Sequence, residues 1–405
     1  MAAIGPVEEE RRIKSLDVTR GFALLGILAV NAAFFAAPWQ TTSNPLLAPL
    51  AVDGSTLWSW AVTHVVFESK CITLFSMLFG ASLFLVGGEV GDLARGAVLL
   101  RRLLALLAFG VIHGALIWYG DVLAAYAVAG LLVMLLRSLK PTALFALGVF
   151  LVLAALYLER RLALVLYELS PDDLAGIKAV IWAPPAEELA RIKAAYQGGL
   201  ASALRENFET WQVFTSSAFE LVVRTAGLML VGIGLLKVGF LSGKAPAWVY
   251  GVALGVGAGA LVAIGWEARA SWRAHFAFDY MQTHGLANAA LNPFVSLGYA
   301  SACVLLVKAP ARVITEPLAA VGRMAFSNYI AQSLIMTTIF WSGRGFGLFG
   351  ELDRPSVMAI VPLVWAAQLL WSTWWLARYR MGPLEWVWRR LSYGRPVAMA
   401  VGAGE

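Results

Sequence analysis

The chain has 405 residues, 60% of them hydrophobic and 14% charged, with a mean hydropathy of +0.73 and a formal net charge of +6. A soluble domain carries about 25% charged residues, and so large an apolar excess cannot be hidden in one soluble core. The composition excludes a soluble enzyme, and the lack of a basic stripe with interleaved aromatics excludes a nucleic-acid-binding module.

Residues 1–16 are polar (Glu8, Glu9, Glu10, Arg11, Arg12, Lys14) and read as a cytoplasmic segment with no cleavable signal. Apolar runs close to the roughly 20 residues a membrane helix needs then recur at about 17–38, 71–88, 102–119, 121–137, 141–158, 213–237, 246–266, 286–307, 317–341 and 356–377. The runs are too long and too apolar for barrel strands. They predict an all-α, polytopic membrane bundle of about ten helices. One bundle would cover 17–158 and a second 213–378. A cytoplasmic N-terminus places Arg11, Arg12, Lys14, Arg20, Arg95, Arg101, Arg102, Arg137, Lys140, Arg389, Arg390 and Arg395 inside. That orientation, with both termini cytoplasmic, satisfies the positive-inside rule, and the expected location is the bacterial cytoplasmic (inner) membrane.

Three pieces fall between or after the spans. Residues 39–70 carry Trp58 and Trp60 and read as an outer, interfacial connection. In 159–212 the spacing of Leu189, Ile192, Ala195, Tyr196 and Leu200 predicts amphipathic helices on the outer face. Residues 379–405 form a basic tail with Trp386 and Trp388, read as an anchor on the anionic inner leaflet. Gly251, Gly255 and Gly259 repeat every four residues, as do Gly110 and Gly114, which predicts close helix packing. Cys71 and Cys303 lie far apart in apolar segments. They read as buried free thiols, and no metal site is expected.

Ionisable and amide groups inside spans are costly and mark cavities or partners. In the first span Asp17 and Arg20 stand at the inner end and Asn31 three turns further out. Glu68 and Lys70 precede the second span and read as a surface ion pair or as the rim of an outward mouth. His113 lies in the outer half of the third span, and Asp121 follows after a tight turn at Gly120. A lone His can simply bond a neighbouring carbonyl. Its titration near neutral pH also suits a general base, with Asp121 orienting the ring. Glu220 and Arg224, four apart, predict a paired couple that would hold an anionic or carbonyl group, or only each other. Asn328 and Gln332 share a face and read either as interhelical glue or as amide donors to a substrate. One polar chamber open to the outside would account for all of them together.

Several blocks resemble the bacterial YeiB-type membrane proteins: LDVTRG at 16–21 followed by Asn31, KCITLFSMLFG at 70–80, GVIHGALIWYGD at 110–121, GRMAFSNYIAQ at 322–332 and GPLEW at 382–386. Those proteins are in turn similar to a wider superfamily of transmembrane acyltransferases, which includes the lysosomal heparan-glucosaminide acetyltransferase. By that resemblance the donor is cytoplasmic acyl-coenzyme A, such as acetyl-coenzyme A. The acceptor is an extracytoplasmic glycan or small molecule, and Asn31 matches the superfamily's active-site Asn. The heparan enzyme's catalytic His soon after its first span has no matching motif here. His64 stands outside one and His113 lies in another helix.

The expected activity is therefore transmembrane acyl transfer. Arg20, Arg101 and Arg102 would meet the donor's phosphates, His113 and Asp121 would deprotonate the acceptor, and Asn31 or Asn328 would steady the oxyanion. Export of a small polar or anionic solute through the same chamber is the second reading, and a non-catalytic membrane binding protein the third. Membrane lipids are the expected surroundings, and a homo-oligomer stays open.

Overall fold

The computed structural model describes residues 12–47, 50, 52–394 and 396–400, so Arg11 and Arg395 lie outside the described residues. The chain runs through α1 (Lys14–Ala36), the short α2 (Gln40–Ser43), α3 (Gly54–Val62), α4 (Lys70–Gly87), α5 (Leu93–Leu116), α6 (Leu123–Val133) and α7 (Pro141–Val165). Then follow α8 (Pro171–Ile181), α9 (Ala186–Gln197), α10 (Leu200–Ser216), α11 (Phe219–Lys237), α12 (Ala247–Arg273), α13 (Phe278–His284) and α14 (Ala287–Lys308). The last helices are α15 (Arg312–Arg323), α16 (Ala325–Phe340), α17 (Arg354–Leu376) and α18 (Pro383–Tyr393). Among the described residues there are isolated β-bridges but no strand.

Eight stretches are long and apolar enough to cross a membrane: α1, the run from α3 through α4, α5, α7, α11, α12, α14 and α17. The chain is a multipass, all-helical membrane protein. Two predicted spans take other forms. The run at 121–137 is reduced to the short α6, because Asp121 to Val122 belong to the turn that precedes it. The run at 317–341 is broken at Met324 into α15 and α16. The second span also starts earlier than its apolar run. α3 passes through a π-helical turn, Thr63–Phe67, and breaks at Ser69, which sits in the left-handed region (φ 65°). The stretch 54–69 thus joins α4 in one apolar helical run, Gly54–Gly87.

α1 is the axis of the assembly. It is buried along most of its length and packs against α4, α14, α15, α16 and α17. α11 is the second axis, between α4, α6 and α7. Because α1 of the first half packs on α14 to α17 of the second, and α11 of the second packs on α4, α6 and α7 of the first, 17–158 and 213–378 interleave in one body. Helix backbones meet at the facing glycine positions Gly21 and Gly322, and Gly80 and Gly232. A Cβ on Gly322 of α15 would lie 1.9 Å from the carbonyl oxygen of Asp17, and one on Gly232 of α11 1.9 Å from that of Met77. Gly110 and Gly114 are also tight, against Ala124 and Trp211. The Gly251, Gly255, Gly259 stripe is different. Nothing lies within 4 Å of a Cβ at any of them, and α12 packs instead through Gly257 on Gly298. Helical periodicity names a face but not whether a neighbour comes to it.

Gly232→Val is expected to cost about 1–3 kcal/mol through forced separation of α4 and α11, and Gly255→Val less than about 0.5 kcal/mol. Thermal unfolding of the detergent-solubilised protein checks the pair; equal shifts would refute the packing scheme.

Candidate functional site

Membrane helices that carry polar groups must satisfy them internally, so each polar side chain can be followed to its partner. His113 lies in the last turn of α5 and is 1% exposed. Its Nδ1 is 2.9 Å from Asp121 Oδ1, and its Nε2 is 2.9 Å from Ser333 Oγ on α16. Asp121 is equally buried. Its second oxygen accepts the Ala124 N–H at 2.9 Å and so caps the start of α6. With Nδ1–H held by the carboxylate, Nε2 is the acceptor and the Ser333 hydroxyl the donor.

The turn from His113 to Asp121 is clamped from three sides. The Ile117 and Trp118 N–H groups both donate to the His113 carbonyl at 2.8 Å. The fully buried Asn207 of α10 accepts from the Tyr119 N–H at 2.6 Å and donates to the Gly114 and Ala115 carbonyls. Arg344 donates to the Leu116 and Ile117 carbonyls and to Thr337 Oγ1. Neither Asn207 nor Arg344 stood out in the sequence, since both lie in polar segments far from His113. Two nearby aromatic residues carry buried polar atoms with no hydrogen-bond partner among the described residues, the Trp118 Nε1–H and the Tyr329 hydroxyl. Their rings lie 6.4 and 5.1 Å from that of His113. Trp118 also stacks on Phe35 of α1 at 4.1 Å.

Asn31 lies on the stripe of α1 that carries Leu24, Leu28 and Phe35, which pack toward Tyr329 and Trp118. It is half-buried, and its side chain has no hydrogen bond among the described residues. Asn328 and Gln332 are already committed. Asn328 donates to Val321 O and Ser372 Oγ and accepts from Trp371 Nε1 at 2.7 Å. Gln332 donates to Gln368 Oε1 at 2.8 Å and to Leu24 O. These amides tie α16 to α17 and α1 and have no N–H left for a substrate oxygen, which removes Asn328 as an oxyanion donor.

Glu68 and Lys70 do not pair. Glu68 Oε2 meets His64 Nδ1 at 2.8 Å, while His64 stacks on Trp60. Lys70 turns inward, fully buried, and donates to His64 O at 2.6 Å and Asn288 Oδ1 at 2.5 Å. The expected surface ion pair is thus replaced by an internal strut between the broken helix and α14. Glu220 and Arg224 pair at 3.2 Å, with Glu159 of α7 3.8 Å from Arg224. Arg224 and Glu159 line a small crevice beside α7 and α14, and no hydrogen bond, ion pair or ring contact joins this group to the His113 group among the described residues.

At the other end of α1 and α5 a basic cluster forms. Arg20 donates to Asp17 Oδ1 at 3.0 Å and Ser82 Oγ at 2.9 Å. The Arg102 guanidinium lies 4.0 Å over the Trp388 ring, within electrostatic reach of Arg20 and Arg389. Arg389 in turn feels Arg323, Glu385 and Asp17. Arg101 is exposed beside Gly394. The tail 379–400 is therefore docked rather than loosely anchored. Its buried Glu385 accepts the Phe326 and Ser327 N–H groups and the Ser327 hydroxyl, which caps α16. Burial holds the Glu385 carboxyl above the usual range. Arg20 and Asn31, like Arg102 and His113, are eleven residues apart on helices that begin at this basic end, a rise of about 16 Å.

On the far face α8, α9 and α10 close over the helix ends. Ile192 and Tyr196 are buried, Leu189 and Ala195 half-buried, and Leu200 exposed. A cleft of about 200 Å³ opens there between Trp39, Gln40, Tyr119, Arg191 and Glu206. Arg191 holds Glu188 and Glu206 by pairs of hydrogen bonds. Hydrogen bonds from Arg191 hold the Glu188 carboxyl below its usual range, and those from Lys193 and Gln197 do the same for Glu351.

Depressed carboxyls contribute stability above their unfolded pKa, and that contribution is lost as pH falls through the folded value. The cap of α8, α9 and α10 is therefore expected to loosen below about pH 4 while α1 and α11 stay helical. Near-ultraviolet circular dichroism, which reads the Tyr196–Trp341 packing, against far-ultraviolet helicity separates the two; coincident loss would refute it.

A family model described as a protein of unknown function (DUF418) matches residues 235–395. The chain is 33% identical over 394 residues to the uncharacterized protein YeiB of Escherichia coli K12, covering 95% of this chain and 96% of that one. It is 30% identical over 422 residues to the uncharacterized protein YxaH of Bacillus subtilis 168, covering 97% of each. A 39.9 kDa uncharacterized protein in the amylase 3′ region of Bacillus acidopullulyticus is 29% identical over 400 residues and 96% of each chain. No solved structure matches.

Proposed function

We propose that this chain, which belongs to the DUF418 family of YeiB-like membrane proteins, carries acyl groups from cytoplasmic acyl-coenzyme A to a hydroxyl or amine on the far side of the bacterial inner membrane. The observation that carries the reading is the buried imidazole of His113, held on one nitrogen by Asp121 and on the other by a hydroxyl. A carboxylate on Nδ1 fixes the tautomer, stabilises the imidazolium and leaves Nε2 to take a proton. The Trp118 N–H and Tyr329 O–H, without partners beside the ring, supply hydrogen bonds for the oxyanion of a tetrahedral intermediate. Asn31 stands at a similar depth on α1. The guanidiniums of Arg20, Arg102 and Arg389 at the opposite end suit the donor's phosphates by charge-assisted hydrogen bonds. Both termini lie inside in this scheme. The donor's extended pantetheine arm would bring its thioester from the arginines toward His113.

Purified protein in nanodiscs is expected to turn over radiolabelled acetyl-coenzyme A. His113→Ala is expected to lower the rate about 10²–10⁴-fold, and Asp121→Asn by a comparable factor with the fold intact. Arg102→Ala is expected to raise KM for the donor and leave kcat nearly unchanged. Full turnover in His113→Ala would remove His113 as the base.

The interruptions at Ser69 and Met324 favour a second reading, solute transport, because broken helices line the binding sites of many transporters. Proteoliposomes that exchange a small anion, with no acetyl-coenzyme A turnover by the same preparation, would establish transport in place of transfer.

A further inference from the structure

We infer that Ser333 is the nucleophile of this site and carries the acyl group covalently between donor and acceptor. The inference rests on the acyl-transfer reading and deepens it. The geometry is that of a hydroxyl, an imidazole and a carboxylate in series: Ser333 Oγ to His113 Nε2 at 2.9 Å, and His113 Nδ1 to Asp121 Oδ1 at 2.9 Å. All three side chains are about 1% exposed, and they come from α16, α5 and the turn before α6. A base that deprotonates an external acceptor directly needs Nε2 facing free space. Here that lone pair points at the protein's own hydroxyl. The other acceptor near the Ser333 hydroxyl, the Tyr329 carbonyl, lies at 3.4 Å, too long to compete with the imidazole.

The chemistry balances in two half-reactions. His113 takes the Ser333 proton as Oγ attacks the thioester carbonyl. The tetrahedral intermediate collapses with cleavage of the carbon–sulfur bond, and the imidazolium protonates the leaving thiolate, giving free thiol and a serine ester. In the second half His113 takes the proton of the acceptor hydroxyl or amine as that group attacks the ester. Collapse cleaves the ester bond, and Ser333 Oγ recovers the proton. No oxidant, reductant or metal is required. Such a relay also answers a spatial problem. The basic cluster is at one end of α5, and the cleft beside Tyr119 is at the other; the Trp118 ring lies 5.7 Å from that of Tyr119 and 6.4 Å from that of His113. A donor and an acceptor need not then meet, because the acyl group waits on Ser333 while the thiol departs.

The test is acid-quenched incubation of the full-length protein with acetyl-coenzyme A, and separately with p-nitrophenyl acetate, without acceptor, followed by peptide mass mapping and turnover measurement. One acetyl group on the peptide containing Ser333 is expected from both, with an initial burst of thiol from acetyl-coenzyme A and of p-nitrophenolate from the ester. Ser333→Ala is expected to lose the adduct and at least about 10³-fold in turnover. Ser333→Cys, which keeps the volume and a nucleophile, is expected to retain an adduct as a thioester and so reports independently of folding losses. Steady turnover in Ser333→Ala with an unlabelled wild type would overturn the covalent step while leaving acyl transfer standing. An acetyl group mapped to His113 would overturn it as well. No turnover and no adduct from either reagent would overturn both, and an adduct from the ester alone would keep the nucleophile and reject the coenzyme donor.

Discussion

Lipid offers no hydrogen bonds, so every polar group inside this bundle must be met by another or stand as a cost of several kcal/mol. The architecture follows that constraint closely. Lys70 is buried with two neutral oxygens, and Glu267 accepts the first N–H groups of α14 beside it. Asn328, Gln332, Gln368 and Ser372 saturate one another between α16 and α17. Glu385 does the same for the otherwise open N-terminus of α16. These are fixed joints, and they hold the broken helices where continuous ones would have needed no help.

The His113 group differs from those joints in having unpaired polar atoms nearby, as Tyr196, Ser301 and Trp341 do elsewhere. Its three members satisfy each other, yet the Trp118 Nε1–H, the Tyr329 hydroxyl and the Asn31 amide have no hydrogen-bond partner among the described residues. Buried unpaired donors are rare and call for an explanation. A transient oxyanion is the one that the proposed acyl transfer would supply. The surrounding clamps from Asn207 and Arg344 make sense in the same terms. They order the turn after α5, and that turn fixes both the imidazole and the carboxylate.

The two ends of the bundle differ in charge. The end at which α1 and α5 begin gathers Arg20, Arg102, Arg323 and Arg389 around Asp17 and Glu385. The other end carries an aromatic cleft in which Glu188, Glu206 and Glu209 outnumber Arg191. An anionic donor at the first and a neutral or cationic acceptor at the second fit that polarity.

Much of this was legible in the chain itself. Long apolar runs dictate membrane helices whatever the packing, because hydrocarbon accepts only helices and closed barrels and these runs are too long and apolar for barrel strands. His113 and Asp121 were readable as a pair because one turn separates the helices that carry them. Ser333 was not, since 220 residues divide it from His113 and a serine in an apolar helix carries no signal of its own. The same holds for Asn207, Arg344 and Glu385, whose roles exist only once distant segments pack. Local sequence set which segments enter the membrane. Tertiary packing alone decided which polar groups meet inside it, because helix periodicity orients a side chain without supplying the neighbour that it faces.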